Sequence, residues 1–293
     1  LVWRQRVSIP NATEMSVGFS QFALPAGAKV WIIGSDPKLP NYYQGPYTYK
    51  DRATNGEFWT PFVPGDSLQL EVYVPLENFD AISVQVGSVN GGFVDAFGLS
   101  GGPGLDAKGI QSCNIDVVCS AADAYRDEQR SVIRYTHAQG GGLFLCTGSL
   151  VMDAESSFRP LMLTAAHCDV GNPSSLIAYF NYESPSCGQL GGGSLGQSVS
   201  GSTTLVEADA RITDSALYEL SSTPPASFNV FYSGWDRSGN TPSGETGSIH
   251  HPGGNEKMIA VNNDPLRVGQ SCIGGGAGGV DTRWVMDWAG GAK

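Results

Sequence analysis

Apolar and polar positions alternate along this chain in short runs, and glycine, proline and asparagine separate the runs. Four runs stand in the first third: Met15–Phe22, Lys29–Ile33, Ser67–Val74 and Ala81–Val89. Alternation with a period of two predicts strands with one face buried. The turn signals between them are Pro25-Ala26-Gly27, Asp36-Pro37, Asn55-Gly56, Pro64-Gly65-Asp66 and Asn90-Gly91-Gly92. Regularly spaced strands of this kind predict a β-sandwich over residues 1–97. Further strands are predicted at Ser131–Tyr135, Gly142–Leu150, Leu161–Thr164, Ser175–Tyr182, Gly196–Asp209, Asp214–Leu220, Asn229–Gly234, Glu245–His250, Met258–Asn262 and Asp281–Asp287. Long amphipathic helical patterns are absent, so the expected fold class is all-β.

Between the two groups of strands lies a glycine-rich stretch, Gly98-Leu99-Ser100-Gly101-Gly102-Pro103-Gly104-Leu105-Asp106-Ala107-Lys108-Gly109. Such a composition predicts an exposed linker, assigned here to 98–112. All 6 cysteines follow it. The expected organisation is therefore a cysteine-free module at 1–97, the linker, and a cysteine-bearing domain at 113–293. Cysteines without a Cys-x-x-Cys pair point to disulfides and an oxidising, extracellular compartment. No apolar run is long enough to span a membrane. Leu1-Val2-Trp3-Arg4 lacks the charged and apolar regions of a secretion signal, which is expected to be already missing.

Composition narrows the partners. The formal net charge of -11 disfavours nucleic acid and anionic membranes, so neither is expected as a partner. The aromatics Trp3, Phe19, Phe22, Trp31, Phe58, Trp59, Phe62 and Phe79 are read as packing residues. Trp59 and the group Tyr42, Tyr43, Tyr47 and Tyr49 also carry a sugar-binding alternative, to which packing is preferred.

The chemistry centres on Leu163-Thr164-Ala165-Ala166-His167-Cys168, which follows the apolar run from Pro160. A strand entering a tight turn there holds an imidazole at the rim of a core, as a general base requires. A lone histidine in such a place is usually a packed core residue. Its surroundings shift the reading. Cys146 lies on the preceding strand, and a Cys146–Cys168 disulfide would tie that strand to the histidine turn. Asp214 opens the apolar strand Asp214–Leu220. A carboxylate there is either a turn cap or a buried orienter of His167, and beside His167 the orienter reading prevails.

Cys146-Thr147-Gly148-Ser149-Leu150, Leu163-Thr164-Ala165-Ala166-His167-Cys168 and Asp214-Ser215-Ala216-Leu217 together resemble a trypsin-like (chymotrypsin-fold) serine protease. The likeness is closer to the bacterial lysyl endopeptidases. Ser112-Cys113-Asn114-Ile115-Asp116-Val117-Val118-Cys119 resembles the start of their mature enzyme. Phe231-Tyr232-Ser233-Gly234-Trp235-Asp236-Arg237 and Ile249-His250-His251-Pro252 with Glu256-Lys257 resemble their second barrel. Phe58-Trp59-Thr60-Pro61-Phe62-Val63-Pro64-Gly65-Asp66 resembles their propeptide.

The resemblance implies a double β-barrel over 113–293, disulfides Cys146–Cys168 and Cys119–Cys187, and catalysis by His167 and Asp214 with a serine. It implies peptide-bond cleavage after lysine in polypeptide substrates, and neither metal nor cofactor. Lys108-Gly109 becomes a candidate maturation site, cut by the enzyme itself. The zymogen would carry a prodomain–protease contact within the chain. The nucleophile turn, Gly-x-Ser-Gly, has no match after Asp214. Ser238-Gly239, Ser243-Gly244 and Ser271-Cys272 all fall too early. The second barrel is thus expected to be incomplete, the chain to be a truncated fragment, and triad catalysis by it to be absent.

Cys113 and Cys272 remain unassigned: they pair with each other, or their partners lie elsewhere. The region around Cys272 departs from the family's aromatic at that place. His250 and His251 point to opposite faces of a strand, which disfavours joint chelation, and a structural role is expected. His137 is expected on the surface. The alternative to a protease is a catalytically dead scaffold with a carbohydrate- or protein-binding sandwich. The retention of both His167 and Asp214 argues against it.

Overall fold

A computed structural model describes residues 1–51, 55–92, 114–139, 142–209, 213–269, 282–284 and 289–290. The strands of the first part are β1 (Val2–Ser8), β2 (Glu14–Ala23), β3 (Lys29–Gly34), β4 (Tyr43–Tyr47), β5 (Phe58–Trp59), β6 (Val63–Pro64), β7 (Ser67–Tyr73) and β8 (Ser83–Gly92). One sheet has the order β1-β7-β3-β4, and the other is built on β2, which pairs with β5, β6 and β8. Alternate residues point inward: Val30 and Ile32 from β3 meet Leu68, Leu70 and Val72 from β7, with Met15, Val17 and Phe19 from β2. The rings of Phe22 and Phe58 stack at 4.7 Å within this core. These packed sheets are the sandwich that period-two alternation predicts.

The second part contains β9 (Ile115–Asp116), β10 (Val132–Gln139), β11 (Gly142–Val151), β12 (Leu161–Thr164), β13 (Ile177–Tyr179), β14 (Ser198–Ser200), β15 (Ser202–Glu207), β16 (Ala216–Leu220), β17 (Thr246–His250), β18 (Met258–Asn262), β19 (Arg267–Gly269) and β20 (Thr282–Trp284). A 7-stranded antiparallel sheet in the order β14-β13-β10-β11-β12-β16-β15 wraps one core. Ile133, Tyr135, Leu150, Met162, Ala178, Phe180 and Tyr218 fill it. The remaining described strands form a 3-stranded sheet, β17-β18-β9, and the pair β19-β20. The fold is all-β and trypsin-like in layout, with a single-turn α-helix at Arg126–Gln129 among the described residues.

Several predicted strands differ in extent. Ser175–Tyr182 shortens to β13, because Pro173–Ser175 forms a 3-10 turn whose cap, Asn172, accepts from the Ser174 N–H. Gly196–Asp209 breaks at Gly201 (φ 84°), where the backbone enters the left-handed region that glycine adopts without strain. Asn229–Gly234 forms no strand and contributes an isolated bridge between Val151 and Ser233. Of Asp281–Asp287, only residues 282–284 are described, as β20. The linker, Lys108, Gly109, Cys113 and Cys272 lie outside the described residues.

β10 is buried on both faces along Val132–His137. Its inward residues Ile133 and Tyr135 belong to the barrel core. On the opposite face Arg134 is fully buried, with its guanidinium over the rings of Tyr179 and Tyr182. The neighbouring apolar layer of Ile177, Tyr179, Tyr182 and Leu195 packs with Phe62 and Trp59 from the first part. Asn55 Nδ2 donates to Ser174 Oγ at 2.6 Å across the same boundary. Glu14, buried on β2, adds a negative charge that acts on Arg134. The two parts thus share an apolar layer with a cation at its edge.

Candidate active site

His167 sits on a 3-10 turn, Ala166–Cys168, that follows β12 directly. Asp169 ends the turn in the left-handed conformation (φ 43°), and its N–H donates to the Ala166 carbonyl. Cys168 is bonded to Cys146 on β11, and Cys119 to Cys187. The first bond closes a span of 22 residues and the second a span of 68. The chain-entropy model gives about 3 and about 4 kcal/mol for loops of these lengths.

Asp214 reaches the same turn from β16. The register pairs Thr164 with Ala216, which sets Asp214 just ahead of the strand beside the histidine turn. Its backbone is left-handed (φ 46°), and its N–H donates to the Asp209 carbonyl at 3.4 Å. One carboxylate oxygen, Oδ1, accepts the backbone N–H of His167 at 2.8 Å. The other, Oδ2, lies 2.7 Å from His167 Nδ1. A carboxylate at the second position accepts, so the proton of a neutral imidazole belongs on Nδ1. Nε2 then carries a free lone pair.

The exposures of the two side chains are opposite: 55% for His167 and 9% for Asp214. The acid is sheltered and the imidazole faces an open cleft of about 470 Å³. Val132, Gly148, Leu163, Thr164 and Ile249 line the cleft beside the pair. Such an arrangement can accept a proton at Nε2 while the carboxylate stabilises the resulting imidazolium. Among the described residues no hydroxyl hydrogen-bonds to Nε2. Ser238 lies in an exposed loop, where its N–H and Oγ both donate to Asp236.

The other histidines differ from His167. His137 is buried, which corrects the surface assignment. It stacks on Phe144 at 5.6 Å. Burial holds its pKa below the ordinary value, against the pull of Asp169. His251 is also buried, with Nδ1 2.8 Å from the Asn255 carbonyl and its ring stacked on Tyr182. Burial and the nearby Lys257 keep its pKa well below the ordinary value. His250 is half-buried and shifted in the same direction by desolvation. Among the described residues no group of three metal-ligating side chains converges.

Sequence reasoning did not single out Arg134, and it took Lys257 only as part of a motif, without its burial. Lys257 is fully buried, and its Nζ donates to the Gln129 carbonyl at 2.7 Å and lies 3.6 Å from Glu183. Trp59 packs at the boundary layer, Tyr42 and Tyr47 pack on the sandwich core, and Tyr43 and Tyr49 are exposed.

Comparison with known proteins places this geometry in a family. The model of the lysyl endopeptidase C-terminal domain matches residues 108–292. A lysyl endopeptidase of Pseudomonas aeruginosa is 32% identical over 237 residues, covering 73% of this chain and 47% of the relative. The chain thus spans about half the length of that relative. The crystal structure of a thermostable serine protease from an extremophilic microorganism aligns with 57% of this chain and 83% of its own, at 14% identity and a TM-score of 0.37. With the family model matched across the part that carries His167 and Asp214, the chain belongs to the lysyl endopeptidase family defined by that C-terminal domain.

Proposed function

We propose that this chain is the precursor-type portion of a secreted serine endopeptidase, with 1–97 as a prodomain, 98–112 as a linker and 113–293 as the protease domain. His167 is the general base, and Asp214 fixes its tautomer and steadies its positive form. The observation that carries the reading is the pair itself: Nδ1 is held 2.7 Å from a sheltered carboxylate while the ring faces the cleft.

In this mechanism Nε2 removes the proton of a serine hydroxyl as that oxygen attacks the scissile carbonyl. It returns the proton to the leaving amine. Cleavage after lysine and self-processing between Lys108 and Gly109 are taken from the relatives' name and the family resemblance. Two disulfides suit an oxidising, extracellular compartment. Among the described residues no helix is long and apolar enough to cross a membrane. The layer of Phe62, Trp59, Tyr179 and Tyr182 supports a prodomain–protease contact within the chain.

The test is hydrolysis of a lysyl amide by the complete gene product and by this chain. The complete product is expected to cleave, and His167→Ala to lower kcat by about 10⁴-fold or more. This chain is expected to show no turnover that His167→Ala abolishes. Undiminished cleavage by the complete His167→Ala product would remove His167 from the mechanism.

A further inference from the structure

We propose that Thr164 is a positioning residue for the His167–Asp214 pair, its hydroxyl clamping β12 to β10 and β11 where the chain turns outward to carry His167. The inference rests on the proposed role of that pair and extends it to a group that touches neither substrate nor reacting atoms.

Thr164 is the last residue of β12, and its side chain is buried. Its Oγ donates to the Thr147 carbonyl on β11 at 2.9 Å. Tyr135 Oη on β10 lies 2.9 Å from the same oxygen. A hydroxyl has one proton to give. With that proton on the Thr147 carbonyl, Thr164 must accept from Tyr135. The order Tyr135 O–H, Thr164 O–H, Thr147 C=O is thereby fixed. Thr147 extends it: its own hydroxyl accepts the His251 N–H at 3.1 Å. Three strands of one barrel and a segment beside β17 meet at this hydroxyl chain.

Its position relates it to both members of the pair. Thr164 leads directly into the turn bearing His167, and it is the register partner of Ala216, close behind Asp214. The Cys146–Cys168 bond anchors the far end of the turn. The 3-10 turn has no side-chain cap of its own. The threonine hydroxyl anchors the near end, so His167 hangs between a covalent and a hydrogen-bonded support. β12 pairs with β16 through Thr164 but with β11 only as far as Leu163, so the Thr164 hydroxyl carries the tie to β11 one residue further. Aliphatic packing alone would leave the buried Tyr135 Oη without this acceptor, which is costly.

The test uses the full 293-residue chain with labelled imidazoles, followed by NMR. The four histidine signals are assigned with single variants. Two quantities are read: the position of the downfield signal of the His167 Nδ1 proton, and the rate at which that proton exchanges with solvent. Asp214→Asn sets the scale, and the loss of the charged acceptor is expected to move the signal upfield and to quicken its exchange. Thr164→Val is expected to move the signal in the same direction and to quicken its exchange. Thr164→Ser is expected to restore both.

A folded Thr164→Val chain with the wild-type signal and exchange rate overturns the proposal, whatever its thermal stability. Should Thr164→Val not fold, Tyr135→Phe removes one donor while keeping the ring. The same readings then apply, with a smaller shift expected and no shift counting against the clamp. If Asp214→Asn itself leaves His167 unmoved, it is the reading of the pair that fails. If Asp214→Asn moves it and neither Thr164→Val nor Tyr135→Phe does, the assignment of Thr164 alone falls.

Discussion

Arg134 on β10 holds its guanidinium 5.1 Å from the ring centroid of Tyr182 and is entirely out of water. Burial lowers its pKa, while Tyr182, Tyr179 and Glu14 oppose that shift. Two planar rings suit a planar cation, whose weaker hydration makes burial less costly than for an ammonium. Arg134→Ala removes the stacking and leaves Glu14 buried without this cation. The expected loss is about 3–5 kcal/mol by urea unfolding. Arg134→Lys is expected to recover little of it, and full recovery by lysine would show that charge alone matters.

Lys257 predicts a rise of stability in alkali. Burial pulls its pKa down to about 8 from 10.5, against the opposing attraction of Glu183. From about pH 8 upward the unfolded chain therefore holds a proton that the native chain has released. Stability increases with pH through that window, and the gain is lost as pH falls through the native value. Melting temperatures at pH 8.0 to 9.5, below the tyrosine range, test this. Lys257→Met is expected to flatten the rise, and an unchanged slope in that variant would assign it elsewhere.

His137 predicts the opposite limit. Its native pKa is lowered by burial, so acid protonates the unfolded chain first. Stability falls as pH drops below about 6.5. His250 and His251 act in the same sense, so His137→Phe removes only part of the slope. Denaturant unfolding at pH 7 and pH 5 is expected to differ less in the variant than in the parent. An equal difference in both would show that His137 carries none of the acid sensitivity.

Removing the bond at the histidine turn separates rigidity from general stability. Cys146→Ser with Cys168→Ser is expected to cost about 3 kcal/mol, and Cys119→Ser with Cys187→Ser about 4 kcal/mol. Only the first pair borders His167. Hydrogen exchange at residues 165–169 is therefore expected to quicken in the first variant more than in the second. Equal exchange at that turn would make the two bonds equivalent.

Much of this was legible in the sequence, and the exceptions share a cause. Period-two alternation locates β2, β3, β7 and β8, because one face of each meets the sandwich core. β1 escapes because its residues are mostly exposed along an edge. β4 escapes because Gly45-Pro46 reads as a break. His167 and Asp214 are found through local motifs, and both stand where the two strands β12 and β16 meet. Arg134 and His137 look like exposed polar positions of a half-buried strand, although they stand on opposite faces of it. Only the layers packed on either side of β10 reverse that reading, and a strand cannot announce its cover in its own residues. The Thr164 hydroxyl lies inside the recognised motif, yet its partners come from 29 and 17 residues away.

The pairing of β12 with β16 has a further consequence. It brings His167 and Asp214, 47 residues apart in the chain, together at the end of a ladder that runs from Leu161 opposite Glu219 to Thr164 opposite Ala216. Sliding that ladder by one step would turn Met162 or Tyr218 outward and drive Leu163 or Glu219 into the core. The interior therefore acts as a proofreader: it rejects misaligned pairings before the histidine and the acid could ever meet at the wrong spacing. The register that lets the pair meet is thus kept by apolar side chains buried behind it, such as Met162 and Tyr218.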